Sequence, residues 1–303
     1  MASHATNYRG ILAIIGACAC FSANDAATKL AAQYLPVTEI VAIRAAFTLF
    51  FAFLIIAIRR EFVPLARLAD PYLILRAVIE AVCGIVIIYA LSLMPIADLT
   101  AILMVQPFLM TVVGAALLKE AVGWRRWIAV MAGFVGMLLV MKPGTSAFDT
   151  TSLVALAAAI LVLVRDLLVR KIRADIPTTV ISFTSALFAV PVGMLGAFVE
   201  PWEIPDPFPF AVVIVSAVFL VAAFNLMVIA FRGTDVSAVS PFRYSIVVFA
   251  VILGVIVFGQ VPDAVAFTGI GIIVAAGLYM LHREAVLRRQ RALYAAAGTD
   301  LPS

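Results

Sequence analysis

The stretch Asn24-Asp25-Ala26-Ala27-Thr28-Lys29-Leu30-Ala31-Ala32-Gln33-Tyr34-Leu35-Pro36 returns 141 positions later as Arg165-Asp166-Leu167-Leu168-Val169-Arg170-Lys171-Ile172-Arg173-Ala174-Asp175-Ile176-Pro177. Identities are few but fall at the same points: a carboxylate, a cation four residues on, and a proline seven residues after the cation. Residues four apart share a helical face, and a proline marks where a helix should be ending. A later block repeats without gaps at an offset of 140: Ala90 with Ala230, Thr100 with Ser240, Gly114 with Gly254, Glu120 with Gln260, Leu138 with Leu278. The chain reads as a duplication. A duplicated and very apolar chain points to a membrane protein with a pathway between its halves.

Composition supports that solvent. Hydrophobic residues make up 65% and charged residues 13% of 303, with mean hydropathy +1.17, against about 25% charged in soluble domains. About 20 apolar residues cross a hydrocarbon core of roughly 30 Å, so ten crossings fit and little is left for a soluble domain. Hydropathy and breakers place them near 10–33, 37–58, 72–93, 96–117, 124–141, 150–169, 178–199, 208–231, 236–258 and 264–282. The expected fold is an all-α integral membrane protein of ten helices in two inverted five-helix repeats, residues 1–145 and 146–285, with a tail over 286–303. Arg9, the apolar run after it and Ala17-Cys18-Ala19 look like a secretory signal, but cleavage would remove half of the first span and its match to the sixth. Cys18, Cys20 and Cys83 fall inside spans, a pattern of small packing residues without disulfide or metal spacing.

Lys and Arg set the expected orientation. With a cytoplasmic N-terminus the inside segments hold Arg9, Arg59, Arg60, Arg67, Lys119, Arg125, Arg126, Arg170, Lys171, Arg173, Arg232, Arg283, Arg288, Arg289 and Arg291, whereas the opposite loops hold only Lys142. This asymmetry puts both termini in the cytoplasm of a bacterial-type inner membrane. The net charge of +4 is then topology rather than nucleic-acid binding. Five helices per half also make the second half cross in the opposite sense.

Lys29, Arg44, Arg76, Arg165 and Arg243, with Asp25, Glu39, Glu80, Asp98 and Asp166, lie within spans or at their edges. A charge at mid-bilayer costs about 2.5–3.5 kcal/mol, so each needs a partner, a cavity or an interface. Asp25 with Lys29, and Arg76 with Glu80, have the spacing of self-paired bridges; Glu39, Arg44 and Asp98 lie nearer an interface. Asp25 and Glu80 are deeper and are candidates for the pathway. Arg243 follows Ser240-Pro241-Phe242, where proline frees backbone groups, and either faces a polar cavity with Tyr244 or bridges to the first half. Gln106 and Asn225 lie near mid-span, where an unsatisfied amide is costly; helix-to-helix bonding is the alternative. Tyr89 and Phe224 could line a cavity for a partly apolar solute, or pack against lipid. Ala132-x-x-x-Gly136 and Gly271-x-x-x-Ala275 permit close helix approach at a seam between the halves, and Trp124 and Trp127 beside Arg125 and Arg126 read as an interfacial anchor.

The stretch from Tyr89 to Gly144 combines a Met94-Pro95 turn, Gln106-Pro107, Lys119-Glu120 and a Gly-rich span closing in Lys142-Pro143-Gly144. It resembles the EamA repeat of the drug/metabolite transporter superfamily, and Ala230 to Glu284 resembles a second copy. The resemblance implies ten helices in two inverted halves around a cavity formed largely by the third, fourth, eighth and ninth, near Glu80, Gln106, Asn225, Arg243 and Tyr244. Similar proteins include YddG-like exporters of aromatic amino acids and uptake carriers for riboflavin or S-adenosylmethionine; Pro241-Phe242-Arg243-Tyr244 looks somewhat like the latter.

The expected function is therefore secondary transport of a small solute, with amino-acid export by alternating access as the leading reading and uptake of another metabolite as the alternative. The substrate-binding set is Asp25, Glu80, Tyr89, Gln106, Phe224, Asn225, Arg243 and Tyr244, with no cofactor or metal. No Gly-x-x-x-x-Gly-Lys-Ser/Thr loop is present, which argues against direct use of ATP. An intramembrane enzyme is disfavoured because His4 and His282, the only histidines, lie near the chain ends. A monomer in a lipid bilayer is expected.

Overall fold

The computed structural model describes residues 4–116, 123–142, 150–169, 171–173, 175–202, 205–231, 234 and 239–297. Ten helices among them are long and apolar enough to cross a membrane: Tyr8–Ala31, Val37–Arg59, Pro71–Leu93, Ile96–Ala116, Trp124–Met141, Thr151–Val169, Thr178–Phe198, Pro207–Phe231, Ser240–Phe258 and Ala264–Arg283, numbered here as the first to tenth spans. The protein is an all-α, multi-pass membrane protein. Arg170, Lys119, Glu120 and Arg232 lie outside the described residues.

Local chemistry explains the ends. Pro36, Pro95 and Pro177 occupy the cap positions before the second, fourth and seventh spans, with ψ of 144°, 142° and 147°, as expected of residues that cannot donate to a preceding turn. Asp70 caps the third span, accepting from the Tyr72 and Leu73 amides at 2.9 and 3.1 Å. The second and fifth spans end on Arg60 and Lys142, both in the left-handed region.

Two spans are discontinuous at matching points. The fourth is helical over Ile96–Leu103, turns at Met104 and Val105, and resumes over Gln106–Ala116. The ninth opens as a 3-10 turn over Ser240–Tyr244 and becomes α-helical over Ser245–Phe258. Proline lies within or beside each break, where the backbone ladder is interrupted.

Packing follows an exchange rule. The second span packs on the seventh, the fourth on the ninth and the fifth on the tenth. The first packs on the eighth as the third does on the sixth, the third on the seventh as the second on the eighth, and the first on the ninth as the sixth on the fourth. Exchanging each span with the one five places on returns these same pairs, whereas the contacts of the third span with the first and second and of the fourth with the tenth have no equal counterpart.

The largest apolar cluster, with Ile102, Phe108, Tyr244 and Ile273, sits where the fourth, fifth, ninth and tenth spans meet. The fifth and tenth spans meet through glycine, but one of the two residues differs from the expected pair. A Cβ on Gly136 would lie 2.8 Å from the Gly269 carbonyl oxygen, and one on Gly269 2.6 Å from that of Gly136. Gly271 has nothing within 4 Å, because a shift of two residues turns a helix to its opposite side.

Candidate functional site: a cleft between four spans

A cleft of about 120 Å³ lies between the second, third, seventh and eighth spans. The second contributes Val41, Arg44, Ala45 and Thr48, the third Arg76, Glu80, Ala81 and Gly84, the seventh Ser182, Ser185, Ala186 and Ala189, the eighth Leu220 and Phe224. Thr48, Ser182 and Phe224 also line a wider mouth of about 440 Å³ with Ala52, Ile55, Arg59, Thr178, Val221 and Asn225 among its walls. Positions 48, 52, 55 and 59 form one face of a helix. This mouth lies at the end of the bundle where the first span begins and the second finishes.

At the far end the second span is in close contact with the seventh and eighth. A Cβ on Gly193 would stand 2.8 Å from the Ala42 amide nitrogen, and one on Gly196 would overlap the Thr38 side chain, so the seventh span meets the second backbone to backbone. Trp202 Nε1 donates to Thr38 Oγ1 at 3.2 Å, and edge contacts pair Tyr34 with Phe208 and Phe47 with Phe210 at 5.8 and 6.1 Å.

Charges behind the cleft form one network across four spans. Glu80 pairs with Arg76 at 3.3 Å and with Arg165 at 3.2 Å, and Arg165 Nε lies 2.7 Å from Asp166 Oδ1. Gln106 donates its amide to the other Asp166 oxygen, and Arg76 donates to Ser185 Oγ at 2.7 Å. The expected Arg76–Glu80 bridge is present but is only one edge of this network. Apolar surroundings make such mutual satisfaction obligatory.

Asp25 and Lys29 do not bridge to each other as their spacing suggests. Asp25 accepts from Asn24 at 2.9 Å and interacts electrostatically with Arg44 of the second span. Lys29 is buried and donates to the Leu91 and Met94 carbonyls at 2.6 and 2.7 Å. There it caps the last turn of the third span, where a helix presents unpaired carbonyls.

The other sequence candidates separate. Glu80 and Phe224 line the cleft, and Phe224 meets Phe21 edge-on at 5.4 Å. Asn225 lines the mouth while donating to the Val221 carbonyl at 2.8 Å. Gln106 reaches the cleft only through Asp166 and Arg165. Tyr89 is 48% exposed on the outer face of the third span, away from the cleft lining. Arg243 is exposed in the 3-10 turn and contributes its carbonyl, which accepts from Cys18 Sγ at 3.4 Å. Tyr244 is buried, its ring occupying the space a side chain at Gly277 would need. The turn at Ser240–Tyr244 directs this segment into the seam with the tenth span instead of into the cleft.

Arg44, Thr48, Ser182 and Ser185 complete the lining. The nearest sequence signal for Arg44 was its charge, seven residues into an apolar span, which read as an interface residue. The second and seventh spans thus supply walls that the resemblance assigned to the fourth and ninth.

The sequence pattern of the EamA-like transporter family matches this chain twice, over residues 8–142 and 150–281. The chain belongs to the EamA-like transporter family. EamA-like relatives include an S-adenosylmethionine uptake transporter of Rickettsia prowazekii, 26% identical over 65% of this chain and 66% of that one. A riboflavin transporter of Vibrio cholerae is 29% identical over 63% of this chain and 64% of its own length. The chain therefore spans about two thirds of these relatives. A pseudopaline exporter of Pseudomonas aeruginosa is 26% identical over 90% of this chain and 96% of its own. One solved crystal structure superposes with TM-score 0.64 and 18% identity, covering 89% of this chain and 96% of that one; that likeness concerns the fold. The cleft is the candidate solute site of this member of the EamA-like family.

Proposed function

We propose that the protein is a secondary transporter, not an enzyme, that exports amino acids, aromatic and other hydrophobic ones included, across the inner membrane by alternating access of two inverted halves. The observation that carries this reading is the composition of the cleft walls. Arginine, carboxylate and hydroxyl groups on the second, third and seventh spans face Leu220 and Phe224 on the eighth, which suits a solute charged at one end and apolar at the other. The Lys and Arg asymmetry supports a cytoplasmic open mouth, where a solute for export would enter. The spans exchange contacts in pairs, as inverted repeats would. A monomer suffices, because every wall of the cleft comes from one chain.

Glu80, Asn225 and Phe224 are proposed solute contacts, with Asp25 and Gln106 supporting them from behind; Tyr89, Arg243 and Tyr244 would act only in a conformation that turns them inward. The test is efflux of labelled phenylalanine from proteoliposomes. Flux well above protein-free vesicles, reduced about tenfold or more in Glu80→Gln, supports the proposal; flux at the protein-free level sinks it. The names of the Rickettsia and Vibrio relatives favour a second reading, uptake of S-adenosylmethionine or riboflavin. Accumulation of either, without phenylalanine efflux, would establish that reading instead.

A further inference from the structure

Three guanidinium groups belong to the cleft and its supporting network, and two are hydrogen-bonded to carboxylates of the network, although Arg76 Nε is buried without a hydrogen-bond partner among the described residues. Arg76 donates to Ser185 and Glu80, and Arg165 to Glu80 and Asp166. Arg44 differs. Its guanidinium makes no hydrogen bond or ion pair among the described residues, although it lines the cleft. Asp25 and Glu80 act on it electrostatically without bonding to it, and its Nη2 lies 3.8 Å from where a Cβ on Gly84 would stand. An arginine inside an apolar bundle with five unused donors is costly unless something else takes them.

We propose that Arg44 is the specificity-determining residue for a carboxylate on the transported solute. A guanidinium presents a planar fork that matches a carboxylate in two parallel bonds. Thr48, one turn further along the same helix, and Ser182 across the cleft carry hydroxyls that now donate to backbone carbonyls of their own spans, Arg44 for Thr48 and Thr178 for Ser182, and each can turn to the solute. Opposite them Leu220 and Phe224 receive an apolar group. The position fits the charge balance too. The carboxylates near it are already engaged, Glu80 between two arginines, Asp166 between Arg165 and Gln106, and Asp25 by the Asn24 amide; Asp25 and Glu80 offset the charge of Arg44 without bonding to it, so its hydrogen-bond donors are left for a carboxylate on the solute. This inference deepens the amino-acid reading above, but it asks only for the carboxylate.

The experiment separates the two. Binding of 3-phenylpropanoate and of its amide is measured by thermal shift and isothermal titration on purified full-length protein in detergent. The acid carries no ammonium group, so the result does not depend on amino acids being the cargo. Wild type should prefer the acid over the amide by about tenfold to a hundredfold, the range for a hydrogen-bonded charge. In Arg44→Gln the preference should fall to within about threefold. In Arg44→Lys, which keeps the charge and loses the fork, it should be intermediate. Because the Arg44 guanidinium donates no hydrogen bond among the described residues, Arg44→Lys, which keeps the charge facing Asp25 and Glu80, should melt within a few degrees of wild type when unliganded. A preference for the acid that survives Arg44→Gln overturns the assignment even if phenylalanine flux is found. No preference in wild type overturns it as well. Loss of the preference in Arg44→Gln upholds it even if phenylalanine is not the cargo. If Arg44→Gln does not fold, Arg44 is a structural residue and the proposal fails, unless Arg44→Lys folds with a reduced preference.

Discussion

The two copies of the repeat bring the same positions to the cleft and different chemistry. Val41, Arg44, Ala45 and Thr48 line it from the second span; 141 residues on, Ser182, Ser185, Ala186 and Ala189 line it from the seventh. On the third span Glu80 and Gly84 line it, and 140 residues on their counterparts are Leu220 and Phe224 of the eighth. The two copies supply matching positions, but the first carries the charged groups Arg44, Arg76 and Glu80 and the second only the hydroxyls of Ser182 and Ser185 beside apolar residues. A site built this way gives an asymmetric solute one orientation inside a pseudo-symmetric frame. The two ends differ by the same logic. Ala52 and Ile55 line the open mouth, whereas their counterparts Gly193 and Gly196 lack side chains and let the far end close on Ala42 and Thr38.

The largest test copies the second wall onto the first. Glu80→Leu places the counterpart's residue at position 80 and leaves Arg76 and Arg165 without the carboxylate they share. Removing one partner of a buried ion pair costs about 3 kcal/mol or more, and denaturant unfolding should register it. Unchanged stability would mean that the charged wall is not a coupled network.

A smaller effect is expected when the mouth residue is copied onto the closed end. Gly196→Ile forces a side chain against Thr38, an overpacking worth about 1–3 kcal/mol. Amide hydrogen exchange should accelerate over residues 193–202 while staying unchanged at the seam of the fifth and tenth spans. If the far end stays protected, the glycines are not what closes it.

Trimming the apolar wall should cost less again. Phe224→Ala removes the edge contact with Phe21, worth about 0.5–1.5 kcal/mol, and should weaken binding of 3-phenylpropanoate relative to propanoate. Equal loss for both ligands would remove Phe224 from the apolar subsite.

The smallest effect lies at the far end of the bundle, where Lys142 pairs with Asp263. The Ala266 amide and Lys142 hold the Asp263 carboxyl below its usual 3.8. Its folded value being depressed, the contribution is present above that pH and lost as pH falls through the folded value. Asp263→Asn should therefore lower the melting temperature slightly at pH 7 and not at all near pH 2. A difference that persists in acid would assign the effect to capping of the tenth span.

Spans, breakers and duplication were legible because each depends on local composition. Twenty apolar residues must be helical in a bilayer whatever their neighbours do, and a proline acts on its own turn. Glu80 and Phe224 were legible as an ionizable and an aromatic residue within spans, although lipid packing remained the alternative for Phe224. Arg243 and Tyr244 were chosen for a motif, and the 3-10 turn carried both away from the cleft. Asp25 and Lys29 share a face at ideal spacing, yet Lys29 finds the carbonyls of Leu91 and Met94. Sequence spacing shows which residues could meet on one helix, but not whether a residue on another helix offers more.

By itself the sequence determined that this chain crosses a membrane ten times in two related halves, since hydrophobicity per segment and repetition are properties of the chain read in order. Only the tertiary structure decided which face of each span looks into the cleft, that the Arg44 guanidinium stands there with no hydrogen bond among the described residues, and that Gly193 and Gly196 bring the second and seventh spans together at one end. A turn of 100° per residue separates lipid from cavity, and helix packing settles that angle through contacts between residues far apart in the chain.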